Sequence, residues 1–548
     1  MLGTSLAALP RVLQTIFFRF PPKYDRMRWG EGQQPERESP VNHISFSPAR
    51  GCRTVTFTPI FFFSAIVFLT CVCVFVEPAE SSTFYVSPTG NDANAGDLAN
   101  PLATIQEGLD RAAAGDSVLI QDGIYNESLV TDAHGTAADR ITVQAVNSQA
   151  VTVSAPFGAR ALDVRHAYTT FEGLIFDGNF TNNDLIRVRV EADYLHFRNN
   201  LARNGARDGI DLGENDTTIG AGYDFLEGVL IENSRFHHFL WFDTSQPNNR
   251  NDAHAIVAGG VQDFTIRDTE AFFVSGDSLQ LQDGAWDDVL VDGVRFWNGP
   301  LPEPAGGFAA GVNPGENAID TKQDDAIAVR GRLTVRDSEF FGWDGDLITN
   351  SSALNLKERV DVVLDGNLLH DNEIALRLRG RTGDNGAHVT VQNQLLYSNL
   401  TALRYEDSIN NLHVFNNTFG ADNVNFFQSA PTFGGSGNDF QVLNNLFLAG
   451  ALPTEAGLPS NLAVDASSFV NVSGNNYHLA AGSPAIDSGL VLGDVVRDFD
   501  GVLRPIGLGY DIGAFEFVPE PTTFCLAILA IFIAGSCSRR RLRVETRS

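Results

Sequence analysis

Eight residues, Gly315-Glu-Asn-Ala-Ile-Asp-Thr-Lys322, gather two carboxylates and an ammonium into one short stretch. Read as a strand, its side chains alternate between faces. Glu316, Ala318, Asp320 and Lys322 then share one side, and Ile319 and Thr321 the other. The chain has three lysines; Lys23 lies near the start, so Lys322 and Lys357 are the two in the body of the protein. An amine beside carboxylates can pair with them, or it can receive an anionic ligand or move a proton, depending on which charges lower or raise its pKa.

Neighbouring segments line up on this stretch. Gly-Ile-Asp-Leu (209–212), Ala-Ile-Val-Ala (255–258), Ser-Leu-Gln-Leu (278–281), Ala-Ile-Asp-Thr (318–321), Ala-Leu-Asn-Leu (353–356), Ala-Leu-Arg-Leu (375–378) and Ala-Leu-Arg-Tyr (402–405) share an apolar second residue for the core. The first position is always small. The third reads Asp211, Val257, Gln280, Asp320, Asn355, Arg377, Arg404, and two residues on stand Gly213, Gly259, Gln282, Lys322, Lys357, Arg379 and Glu406. With strands about 4.8 Å apart, Lys322, Lys357 and Arg379 are expected one above another beside Asp320, Asn355 and Arg377. The small column is expected as a shallow floor for a sugar ring. Stacked cations repel, so their presence in an acidic protein points to an anionic ligand; salt bridges to Asp320, Glu316 or Glu358 are the structural alternative. Asp208, His254, Asp277 and Asn317 form a further set two residues before the apolar position. Buried hydrogen bonding at the turn is the default for them, and a metal cluster with Asp252 is the sharper reading.

The elements that position these residues recur. From about 168 to 450, alternating apolar residues lead, after one spacer, to Asn, Asp or Gly. The centres are Ile175, Phe197, Ile231, Ile266, Val291, Val335, Leu364, Val391, Val414 and Val442; Asp177, Asn199, Asn233, Asp268, Gly293, Asp337, Gly366, Asn393, Asn416 and Asn444 follow them. Those residue types tolerate left-handed backbone, so one turn repeated coil after coil explains the column, with its asparagines as structural ladders. An apolar period of 2 excludes helical repeats, and the fixed turn column favours a solenoid over a sandwich or barrel. Upstream, Asn100-Pro-Leu-Ala-Thr-Ile-Gln106 predicts a short capping helix near 102–113, with Leu102, Ile105, Leu109 and Ala112 on one face. The pattern resembles the right-handed parallel β-helix of the pectate-lyase-like superfamily over most of residues 83–450. Gly482-Ser-Pro-Ala-Ile-Asp487 and Tyr510-Asp-Ile-Gly-Ala-Phe-Glu516 resemble a C-terminal segment common in exported β-helix proteins. The expected organisation is a leader (1–79), an N-terminal cap and first coils (80–160), β-helix repeats (161–450), a C-terminal cap or linker (451–517) and a tail (518–548).

Many members of that superfamily cleave uronic-acid polymers by β-elimination. This requires a neutralised carboxylate, a base for the C5 proton and positive charge for the enolate. The resemblance, nearest to chondroitinase B and the related alginate lyases, implies Lys322 as base if neighbouring cations lower its pKa. It implies Arg377 and Arg379 as catalytic cations, and Gln280, Asn355, Lys357 and Arg404 as substrate contacts. Ca2+ would be held by the oxygen ligands Glu316, Asp320 and Asp277. In that family an arginine follows on the next coil, whereas here the next coil carries Lys357 and the arginines come one coil later. Two other classes stay in view: a non-catalytic adhesin or polysaccharide-binding protein, and a glycoside hydrolase using Asp277 and Asp320.

From Glu80 to Phe517 the chain has 25 Lys and Arg against 60 Asp and Glu, a net charge of −35. Nucleic acid, which needs a basic surface, is excluded as a partner. All five cysteines (Cys52, Cys71, Cys73, Cys525 and Cys537) lie outside this body, so it has neither a disulfide nor a thiolate site. The uncharged run 55–76 after a basic leader reads as an export signal or membrane anchor. Pro519-Glu-Pro521, an apolar stretch and Arg539-Arg-Arg541 resemble the PEP-CTERM sorting signal, which implies a sorting enzyme as partner and delivery to the surface or matrix. A plain membrane anchor is the alternative for this tail.

Overall fold

Three parallel sheets run the length of the described chain, each coil contributing one strand to each sheet in turn. The structure, a computed structural model, describes residues 81–213, 225–282, 285–323, 330–380, 386–406, 409, 411–429, 439–457 and 459–519. The leader with its apolar run, and the tail beyond Pro519, lie outside the described residues. Among the described residues no helix is long and apolar enough to cross a membrane.

The first sheet has 14 strands, the second 13 and the third 11. Its order follows the chain, so every strand pairs with its equivalent one coil away. This is the expected parallel β-helix. Each strand sends alternate side chains inward, and stacking coils turns them into columns. Phe197, Ile231, Ile266, Val291, Val335, Leu364, Val391 and Val414 are partners in successive strands of the first sheet, and all are fully buried. Each such side chain contributes about 1.5–3 kcal/mol, and no coil could bury its own face alone.

The turn after the first-sheet strand has the expected backbone. Asn199, Asn233, Asp268, Asp337, Asn393, Asn416 and Asn444 have φ between 48° and 58°, and Gly293 and Gly366 have φ of 65° and 67°. One member of the column is corrected. Ile175 and Asp177 lie in the second sheet, and the centre of that coil is Phe171, paired with Phe197 and followed by Gly173 at φ 73°. Phe176 is as apolar and as periodic as Phe171, so the pattern slipped one strand along the coil. The hydrogen-bonded ladder sits one residue later than the left-handed column. Asn367, Asn417 and Asn445 are buried, and their amides donate to the carbonyls of Val335, Val391 and Val414.

At the entry, the helix spans Ile105–Arg111 and covers the first coil with Leu102, Ile105, Leu109 and Ala112, all buried. Thr104 is its N-cap, accepting from the Glu107 amide; Asn100 is held in a turn by Asp97. At the other end, residues 485–517 return along the last coils. Arg504 and Glu516 form a pair 2.7 Å apart with side chains 0% and 1% exposed. The Asn393 amide donates to the Arg497 carbonyl, that of Asn416 to Asp511 and that of Asn444 to Leu490. Part of the left-handed asparagine column is thereby a docking rail for this segment.

Candidate functional site

The outward positions of the third sheet stack as the sequence alignment requires. Asp211, Val257, Gln280, Asp320, Asn355, Arg377 and Arg404 are successive partners in register. The lysines follow at the strand ends. The small column beside them is no floor: Ala255, Ser278, Ala318, Ala353, Ala375 and Ala402 are fully buried. The alanines belong to the apolar core, and the pairing passes over Ala318, Ala353, Ala375 and Ala402. Gln280, Asp320 and Asn355, of the same parity, are buried as well, so this stretch of the face is covered, which alternation alone does not reveal.

The polar row divides into two clusters, each around one carboxylate. Asp320 is the first centre. Its Oδ1 accepts from Asn355 Nδ2 at 2.8 Å, and its carboxylate lies 3.0 Å from Lys357 Nζ and 3.8 Å from Lys322 Nζ. Lys322 Nζ donates to Gln280 Oε1 at 2.7 Å. Lys322 keeps a side-chain exposure of 34%, against 16% for Lys357 and 5% for Asp320, so it is the group of this cluster most open to a ligand. Glu406 is the second centre. Arg377, Arg379 and Arg404 all reach it, at 2.7, 3.1 and 2.9 Å, and Arg404 also donates to Asn350 Oδ1. The three arginines expected to line up behind Lys322 are therefore gathered on a buried acid.

Behind Asp320 runs a buried ladder. Asp208 Oδ1 accepts from His254 Nδ1 at 2.8 Å; His254 Nε2 lies 3.5 Å from Asp277 Oδ2, long for a hydrogen bond but close for a charge contact. Asp277 Oδ1 accepts from Asn317 Nδ2 at 2.8 Å, and Asn317 Oδ1 from Ser352 Oγ at 2.7 Å. This is the turn-level hydrogen bonding expected of these residues. Arg250, which the sequence did not single out, is buried nearby. It donates to Pro314 O and pairs with Glu316 and Asp252 at 3.0 and 2.8 Å. It belongs to no repeat column, so no periodic signal marked it.

These contacts fix the electrostatics. Burial opposes charge on His254, but Asp208 and Asp277 outweigh it and hold the imidazole well above its ordinary value. Burial works against the Asp277 carboxylate, yet His254, Asn317 and Lys322 keep it below the usual range. Asp320 goes the other way. Burial, and then the charge of Asp277, push it up to about 7 despite Lys357 and Lys322. Burial disfavours the Lys322 ammonium, but Asp320, Asp277, Asp252 and Glu316 more than compensate, and its pKa is raised. The expected lowering by neighbouring cations is thus reversed, because the nearest charges are carboxylates. Lys322 is held as a cation.

The donor set expected for Ca2+ does not suit that ion. Glu316 is paired with Arg250, Asp320 with Lys357, and Asp277 with Asn317 and His254. Among the described residues no group of three His, Cys, Asp or Glu is arranged to hold a metal.

Loops between the second and third sheets wall one side of this face. The hairpin strands Trp241–Phe242 and Arg250–Asn251, residues 298–316 and residues 342–351 pack over an apolar cluster of Leu240, Phe272, Phe273, Leu301 and Phe308. Asp346 Oδ2 accepts from the Asn313 amide, the Leu347 carbonyl from Asn248, and the Glu373 carboxylate from the amides of Asn350 and Ser351. Between the 342–351 loop and the strands opens a cleft of about 480 Å3.

No family model matches the chain. One curated relative, the uncharacterized protein YwoF of Bacillus subtilis (strain 168), is 34% identical over 85 residues, which is 16% of this chain and 18% of that one. The chain thus spans less than a fifth of that relative's length. Among solved structures, a rhamnogalacturonan lyase is similar with 15% identity over 77% of this chain and 99% of that one, at a TM-score of 0.48. The pectate lyase Pel9A is similar with 16% identity over 80% and 97%, at 0.42. A mannuronic acid specific family 6 polysaccharide lyase from human gut microbiota gives 14% over 70% and 91%, at 0.41.

Proposed function

We propose that this protein binds an acidic polysaccharide on the outer face of its third sheet, with Lys322 and Lys357 receiving a uronate carboxylate. One observation carries the reading: the two lysines of a body with net charge −35 stand in adjacent coils, share Asp320, and flank it from the solvent side. Asp320, its pKa pushed up to about 7 by burial and by Asp277, is a weaker partner for the two lysines than an ordinary carboxylate, and a uronate carboxylate would give them a stronger one.

The reaction this face would serve is β-elimination. The lysines would neutralise the carboxylate and hold the enolate. The raised pKa of Lys322 favours that cationic role over the role of base; the C5 proton would instead pass to the Asp320 carboxylate, whose pKa is pushed up to about 7, as the C4–O bond breaks and the leaving oxygen takes a proton from water. Export through the 55–76 run and a PEP-CTERM-like tail, handled by a sorting enzyme, belongs to the same proposal and rests on the two terminal sequences. A second reading, a glycoside hydrolase, is favoured by one observation. Asp277 is held low while Asp320 is pushed to about 7, and separated carboxylate pKa values suit a base and an acid.

The test is incubation with alginate, pectate and chondroitin sulfate, following binding by sedimentation, unsaturated uronates by ultraviolet absorbance, and new reducing ends. Absorbance marks elimination, reducing ends without absorbance mark hydrolysis, and binding alone marks an adhesin. Loss of binding in Lys322→Ala is expected. No binding by the wild type, or equal binding by the variant, overturns the assignment of this face.

A further inference from the structure

The row that carries Asp320 treats its two lysines differently. Gln280, Asp320 and Asn355 are partners in register on three successive strands. Gln280 stands between Leu279 and Leu281, both fully buried, and is itself buried. Its Oε1 accepts from Lys322 Nζ at 2.7 Å; an ammonium only donates, so the oxygen end of the amide must face it. Among the described residues the next partner of Lys322 Nζ is Asp320 Oδ2 at 3.8 Å, beyond hydrogen-bond reach. Lys357 Nζ instead meets Asp320 directly, 3.0 Å from Oδ1 and 3.1 Å from Oδ2.

The difference decides what each group can still do. A carboxylate oxygen offers about two lone-pair sites. On Oδ1 they are taken by Asn355 Nδ2 at 2.8 Å and by Lys357. Among the described residues Oδ2 has Lys357 alone within hydrogen-bond reach, so a site is left on that oxygen, the one nearer Lys322. The uncharged oxygen of Gln280 anchors Lys322 without cancelling its charge, which a carboxylate there would do. Asp320, Asp277, Asp252 and Glu316 all attract this ammonium, so without its anchor it would close on an acid, and Asp320 is at hand. A uronate needs the opposite. Its carboxylate is bonded to C5, so the cation for the carboxylate and the base for the C5 proton must be neighbours that are not paired to each other.

We infer that Gln280 is a positioning residue of this face: it holds the Lys322 ammonium off Asp320, so that Lys322 meets the uronate carboxylate while the remaining site on Asp320 Oδ2 stays open for the C5 proton. The inference rests on the lyase reading of the lysine face and deepens it. The proton passes from C5 to Oδ2, the freed electron pair becomes the second C4–C5 bond, and the C4–O bond breaks with its oxygen protonated by water. Gln280 acts through Lys322, which already occupies its oxygen, in place of the direct substrate contact that the family resemblance implied.

Gln280→Met keeps the bulk of the side chain and removes the oxygen. Trace acetylation of the full chain with acetic anhydride, read by mass spectrometry of its peptides with Lys357 as internal reference, needs no substrate. Lys322 is expected to label about threefold more slowly relative to Lys357 in this variant, because it closes on Asp320. On whichever of alginate, pectate and chondroitin sulfate the wild type cleaves, the same variant is expected to lose about tenfold or more in kcat. Gln280→Glu restores an oxygen that holds Lys322 off Asp320 but cancels its charge. It is expected to raise KM about tenfold and to lower kcat less than the methionine does. A glutamine that only fills space would give no such split. Thermal melts of both variants serve as the folding control. Labelling of Lys322 that is unchanged or faster in Gln280→Met overturns the inference, as does an equal loss of kcat in the two variants, and either leaves the lyase reading standing. A wild type that cleaves none of the three polymers overturns the lyase reading, and the labelling then decides by itself whether Gln280 holds Lys322 off Asp320.

Discussion

Asp320 is placed where a charge costs stability, and removing the charge is a direct measure of that cost. Its pKa is pushed from 3.8 to about 7, chiefly by burial and by Asp277. A carboxyl with a raised folded-state pKa holds its proton more tightly in the folded chain, so stability falls as pH rises between the unfolded and folded values. Each unit is about 1.4 kcal/mol. The ionised group therefore disfavours folding by about 4 kcal/mol at pH 8 and by about 2 kcal/mol at pH 5. Asp320→Asn keeps the shape and the oxygen that accepts from Asn355 at 2.8 Å. The attraction of Lys357 is already contained in that net shift, so the variant is expected to be more stable than wild type by about 2 kcal/mol at pH 5 and by about 4 kcal/mol at pH 8. Urea midpoints of both proteins at the two pH values test this. A variant less stable than wild type at pH 8 would refute the reasoning, for it would mean that Asp320 sits in a net favourable ion pair with Lys357.

Other changes probe separate parts of the molecule. His254→Gln should destabilise by about 3–5 kcal/mol, because Asp208 and Asp277 are left buried around an uncharged amide. As the pKa of His254 is raised, its contribution is complete below the unfolded value and is lost as pH rises through the folded one. The difference from wild type in denaturation midpoints should accordingly be largest at pH 6 or below and shrink on the alkaline side. Arg504→Met strands Glu516, whose side chain is 1% exposed; hydrogen exchange should rise across 485–517 by a margin of about 3 kcal/mol, with ligand binding at Lys322 unchanged. Asn393→Ala puts a β-carbon into a left-handed turn at φ 55°, which should cost about 1–2 kcal/mol by denaturation, whereas Asn393→Gly costs less.

The solenoid was legible because its evidence is periodic. Val291, Val335 and Leu364 repeat one environment, and the Asn, Asp and Gly column repeats one backbone angle. The register of the third sheet followed too, since Ile319, Leu354 and Leu376 each open the same short apolar alternation. The charge environment was not legible. Whether Lys322 meets cations or acids depends on Asp277, Asp252 and Glu316 converging from other coils and loops, and on Glu406 drawing the arginines to itself. The fate of the alanine column depended on the burial of the face it shares with Gln280, Asp320 and Asn355, which leaves no mark on alternation. Arg250 and the 342–351 loop lie outside the repeat altogether, so no column announced them.

The asparagine rail has a mechanical consequence. A stack in which each coil touches only its neighbours frays from its ends, one layer at a time. The returning segment bonds to Asn393, Asn416 and Asn444, which belong to three successive coils. Those layers cannot peel away singly, because loosening any one of them pulls on a strap shared by all three. The C-terminal end thus behaves as a latch, and a force applied along the axis meets its first cooperative barrier there, whereas the opposite end is closed by a single two-turn helix.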